Sequence, residues 1–110
     1  MNRNIPDRIK DVITETGDEL QKIYSRKMKG MILFGSYARG EEASGSDIDI
    51  ALLLDHPDDG HREREKYFDA IWRISLKYDT VVSVIPMDYT EYKMKKTPLT
   101  INIAREGIRI

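Results

Sequence analysis

The sequence predicts a small α/β domain, a mixed sheet of about three or four strands with helices packed on it. Three observations carry this. Two short, nearly continuous apolar runs, MILF at 31–34 and IDIALLL at 48–54, are bounded by turn residues. A β-branched run, TVVSVI, follows at 80–85. Between and around these runs lie amphipathic stretches at helical spacing.

The elements follow in order. Asn4 is suited to cap a first helix, with Pro6 in its first turn. Ile9, Val12, Ile13, Leu20, Ile23 and Tyr24 form one apolar face that runs through about Arg26. Gly17 weakens its middle by roughly 1 kcal/mol relative to alanine. Met31–Phe34 reads as a buried strand that Gly35 ends, and Ser36 as the cap of a short helix reaching Gly40. Residues 41–46 form a loop. Ile48–Leu54 is apolar on both faces and so reads as a central strand. Asp55–Gly60 (DHPDDG) is turn chemistry. A helix over His61–Lys77 turns Tyr67, Phe68, Ile71, Ile74 and Tyr78 inward. The strand Thr80–Ile85 comes next, and Pro86 ends it. Thr97 and Pro98 cap and start a last helix to Glu106. Gly107 closes it, and Ile108–Ile110 adds a short strand.

The 110 residues are the size of one domain, and residues 1–110 read as a single unit without linker or repeat. Hydrophobic residues make up 40% and charged residues 34%, a balance of globular rather than disordered chains. With 18 basic and 19 acidic residues the net charge is −1, so strong non-specific nucleic-acid binding is not expected. No cysteine is present, which excludes disulfides, thiolate catalysis and zinc–thiolate sites. The first residues lack the apolar stretch of a signal peptide, and no run is long enough to span a membrane. A soluble, cytoplasmic protein is the expectation; a homo-oligomer is left open.

The chemistry concentrates in residues 31–54. Asp47 and Asp49 flank Ile48, and in a strand such residues share a face about 6.5–7 Å apart. Two adjacent carboxylates repel, and a divalent cation removes the conflict. Magnesium takes one or two carboxylates plus substrate phosphates. At the other end, Gly35 allows a close approach and positive φ, Ser36 supplies a hydroxyl donor, and free amides of the next helix face an anion. Arg39 can reach the same phosphates with its planar fork. Either half alone is an ordinary turn or a solvated strand end; together, at this spacing, they point to nucleotidyl transfer. No Gly-Lys-Ser/Thr follows, so this is not a Walker loop, and the glycines do not fit a dinucleotide fingerprint.

The pattern G-S-x10-D-x-D, with Gly35-Ser36, Ala38-Arg39-Gly40 and Ser46-Asp47-Ile48-Asp49, resembles the polymerase-β superfamily of nucleotidyltransferases. The chain length and the ending PLTINIAREGIRI resemble the minimal nucleotidyltransferase branch. The resemblance implies a polymerase-β-like core in which Gly35 and Ser36 bind the triphosphate of ATP and Asp47 and Asp49 bind magnesium. It also implies a partner: many minimal members are antitoxins paired with helical HEPN toxins, and some add AMP to a toxin tyrosine. One departure stands out. The family usually carries a third carboxylate on a later strand, and the equivalent place here is Ser83. Asp79 either stands in, on a longer strand, or caps that strand; the cap is the preferred reading. Without a third acid, base assistance worth about 10²–10⁴ in rate is lost. A second reading therefore stands beside the enzyme: a nucleotide-binding or toxin-masking module. A third is a structural domain without ligand.

Other candidates carry less. His56 and His61 around DHPDDG fit no calcium hand, and a solvated turn is preferred. Trp72 is read equally as core or partner surface. Tyr92–Lys96 is read as a solvated, mobile loop, and Tyr37 either as a neighbour of the nucleotide or as a plain turn residue.

Overall fold

The computed structural model describes residues 5–110. Asn4, the expected helix cap, lies outside the described residues. Helix α1 (Asp7–Tyr24) leads through a short turn into β1 (Met28–Phe34). A single helical turn, α2 (Ser36–Arg39), precedes β2 (Ile48–Leu54), and α3 (Gly60–Tyr78) crosses over to β3 (Val82–Asp88). Helices α4 (Tyr89–Met94) and α5 (Pro98–Glu106) return the chain to β4 (Ile108–Arg109).

The four strands form one mixed sheet in the order β3-β2-β1-β4. The β1/β2 and β1/β4 pairs are antiparallel, whereas β2 and β3 are parallel. That polarity follows from the connections: a short excursion joins β1 to β2, and a helical crossover joins β2 to β3. β2 lies inside the sheet with Ile48, Ile50, Ala51 and Leu52 to Leu54 all buried, as its two-sided apolar pattern requires. Ile50, Leu52 and Leu54 join Ile9, Val12, Ile13 and Leu20 of α1 and Tyr67, Ile71 and Ile74 of α3 in the main core. Ile32, Ala51 and Leu53 face the other way, onto Ile103 of α5. No helix of the described residues is long and apolar enough to cross a membrane.

Several expectations are corrected. Ile23 is exposed at the edge of α1, and Phe68 is exposed on α3, because the helices lean on the sheet by narrower stripes than the apolar pattern suggests. Trp72 is exposed as well. Pro86 does not end the third strand, which starts later and continues to Asp88. The Ile48 N–H donates to the Val81 carbonyl at 2.8 Å, so the odd-numbered residues of β3 pair with β2. The even-numbered ones turn their backbone outward. Pro86 thus sits at an edge position where its missing N–H costs no ladder bond. Residues 89–94, read in part as loop, form α4, capped by Asp88, whose carboxylate accepts from the Thr90 N–H at 3.0 Å. Thr97 and Pro98 start α5 as expected, and Thr97 and Thr100 close a reciprocal capping box.

Candidate functional site

At the end of β1 the chain turns at Gly35, with φ +75° and ψ −154°. That region is open to glycine and costly for other residues. A β-carbon at this position would also collide with the carboxylate of Asp49. Gly35 is therefore required both for the bend and for the close approach. Ser36 does not cap α2: Gly35 holds the cap position without a side-chain bond, and Ser36 is the first helical residue. A helix of one turn has little dipole, so what it offers is local: the Ser36 hydroxyl and the first-turn amides. Ala38 is fully buried and pins this turn to the core. Tyr37 packs half-buried against the same core.

From β2 come the two carboxylates. Asp49 pairs in register with Phe34 on one side and with Ser83 on the other. Asp47 immediately precedes the strand and is exposed; Asp49 is half-buried. Burial raises Asp49 above the ordinary carboxylate range, the negative charge of Asp47 raises it further, and Arg39 pulls it down. The charge of Asp47 is thus felt at Asp49, and Asp49 lies directly beside the glycine bend. Paired hard oxygen donors of this kind suit a divalent cation that neutralises both.

Arg39 is at the site but engaged. Its guanidinium donates to Glu41 at 2.6 Å and to Glu106 at 3.1 Å, which ties α2 to the end of α5. The pairing holds Glu106 below its ordinary range. Local pattern singles out neither Glu41 nor Glu106; Glu106 lies 67 residues from Arg39, and no spacing rule connects them.

Ser83 occupies the strand position level with Asp49. Asp79 is not on that strand. It terminates α3 in a left-handed conformation (φ +50°), as a helix cap rather than a strand cap. Among the described residues, no group of three or more His, Cys, Asp or Glu side chains gathers at one point. His56 pairs instead with Asp55 and His61 with Glu65, all of them exposed, so the DHPDDG turn is a solvated one.

Known proteins share this architecture. A Methanocaldococcus jannaschii protein, provisionally named a protein adenylyltransferase, is 32% identical over 100 residues, which span 91% of this chain and 96% of the relative. A second protein of that organism with the same provisional name is 36% identical over 73 residues, 66% of this chain and 67% of its own length. Among solved structures, a toxin–antitoxin assembly with AMP-PNP superposes with a TM-score of 0.60 at 22% identity, over 86% of this chain and 68% of that one, a likeness of fold. The nucleotidyltransferase domain family matches residues 13–110, the stretch that holds the glycine bend, both carboxylates and the closing strand, and the chain belongs to that family.

Proposed function

We propose that this nucleotidyltransferase moves AMP from ATP to a hydroxyl group, a tyrosine of a HEPN-type partner protein, and so acts as its antitoxin. The observation that carries this is Asp49, under the charge of Asp47, set against the Gly35 bend. The names of the archaeal relatives and the family resemblance of the motif support the adenylyl donor and the protein acceptor.

Asp47 and Asp49 would hold magnesium, which when bound neutralises the triphosphate and polarises the reacting oxygens. Gly35 lets the β- and γ-phosphates come close to the backbone, and Ser36 donates its hydroxyl to them. Arg39 reinforces this charge once it gives up a carboxylate partner. The acceptor oxygen attacks the α-phosphorus, the bond from that phosphorus to the β-phosphate bridging oxygen breaks, and pyrophosphate leaves. With serine at position 83, the hydroxyl proton passes to water rather than to a third carboxylate.

That same serine favours one second reading, a module that masks the toxin by binding alone. Incubation with α-labelled ATP, magnesium and a HEPN-type protein separates the two. Label on the partner that vanishes in Asp47→Asn with Asp49→Asn supports transfer. Tight binding without label, indifferent to those substitutions, establishes masking.

A further inference from the structure

An in-line displacement needs its attacking and leaving groups on opposite sides of the α-phosphorus. If pyrophosphate departs toward Gly35 and Ser36 at the end of β1, the acceptor arrives from the opposite side of Asp47 and Asp49. In a sheet ordered β3-β2-β1, that side is β3. A groove of about 380 Å³ runs there between α3 and the open edge of β3. Asp47 and Ser83 contribute to its wall, together with Arg64, Phe68, Trp72 and Val84.

Its lining describes the occupant. Phe68 and Trp72 are 55% and 56% exposed, yet they stack on each other with ring centroids 6.3 Å apart and planes within 7°. The result is an exposed apolar surface on which apolar and aromatic side chains of a polypeptide can pack. The strand edge beside it is half used. The Val82 N–H donates to Ser75 Oγ at 3.3 Å, and the Tyr67 hydroxyl donates to the Val84 carbonyl at 3.2 Å. The Val82 carbonyl and Val84 N–H also turn outward, and these are the two groups an extended chain would pair with. The same two bonds orient the groove: Ser75 lies by Val82 at the Asp47 end, so Arg64, three helical turns back, lies at the far end.

We infer that this groove docks the acceptor polypeptide. An extended segment runs along β3, its apolar side chains on Phe68 and Trp72, an acidic side chain on Arg64, and its accepting hydroxyl at the Asp47 end. The inference rests on the transfer reading for its direction of approach.

The test uses the whole chain and the same HEPN-type acceptor. Phe68→Ala with Trp72→Ala removes side chains that are more than half exposed, so the chain should stay folded, which thermal unfolding checks. The expected result is an acceptor Kd weakened by about tenfold or more with magnesium–ATP affinity unchanged. Label transfer should drop at low acceptor and recover at saturation. Arg64→Glu should weaken the acceptor further and flatten its salt dependence. An unchanged acceptor Kd overturns the assignment, as does a wild-type chain that binds no acceptor. Loss of magnesium–ATP affinity overturns it in favour of a base-binding groove. A wild-type dimer that the double variant dissolves, with acceptor affinity intact, overturns it in favour of a second copy. Acceptor binding that depends on Phe68 and Trp72 but yields no label keeps the docking surface and rejects transfer.

Discussion

The Asp49 carboxylate occupies the space that a β-carbon on residue 35 would need. The bend and the acid are therefore one unit, and Gly35→Ala should damage both. The backbone conformation alone, which glycine almost exclusively adopts, costs about 1–3 kcal/mol, and the displaced carboxylate adds to it. We expect a lower melting temperature together with loss of magnesium–ATP affinity, read by thermal unfolding with and without the nucleotide. Wild-type affinity in this variant would separate Gly35 from the site.

Asp49→Asn should uncouple stability from activity. An acid raised on folding binds more protons in the native state than in the unfolded one. Its contribution to stability is full below its unfolded pKa, about 4, and is lost as pH rises through the folded value. Metal-free wild type should therefore lose stability across that window relative to Asp49→Asn, which should melt higher at neutral pH. Magnesium should raise the melting temperature of wild type alone. Transfer in the variant should fall by about 10²-fold or more, the equivalent of several kcal/mol of lost charge stabilisation. Melting curves from pH 3 to 8, with and without the metal, decide the first part; label transfer decides the second.

Ser83→Asp adds an acid level with Asp49. Without metal it adds repulsion and should lower the melting temperature. With magnesium and acceptor it should speed transfer by about 10²-fold, the lower end of what base assistance supplies. Single-turnover rates measure this, and an unchanged rate would mean that the acceptor proton is handled elsewhere.

Glu63 is fully buried at the start of α3, where it accepts the Tyr24 hydroxyl at 2.8 Å, the Asp58 N–H at 2.6 Å and Lys66 Nζ at 3.3 Å. Glu63→Ala strands these donors and should cost about 3 kcal/mol, seen as a lower denaturant midpoint. Glu63→Gln keeps an acceptor and should lose less. Neither touches Asp47 or Asp49, so nucleotide affinity should survive wherever the chain is folded.

Much of the site could be read from residues 31–54, because strand alternation, a glycine bend and a short spacer are local properties. The placement of Gly35 against Asp49 follows once the two runs are antiparallel strands, whereas the level of Asp49 with Ser83 is set by the parallel register of β2 and β3. What lay beyond local pattern was set by tertiary contact. Phe68 looks like core at helical spacing, yet α3 turns it to the edge of β3. Pro86 looks like a strand end, yet an outward edge position tolerates it. The Arg39–Glu106 pair joins helices whose paired residues lie 67 positions apart in the chain. Glu63 sits in a charged stretch, HREREK, with nothing local to single it out for burial.

Pro86 also guards the molecule against itself. Exposed strand borders are where chains template one another into fibrils, and a residue with no hydrogen to donate interrupts such growth. On β3 the interruption falls in the half remote from Asp47. Uncontrolled stacking is discouraged there, while the stretch nearer the acids, 82–84, carries no proline.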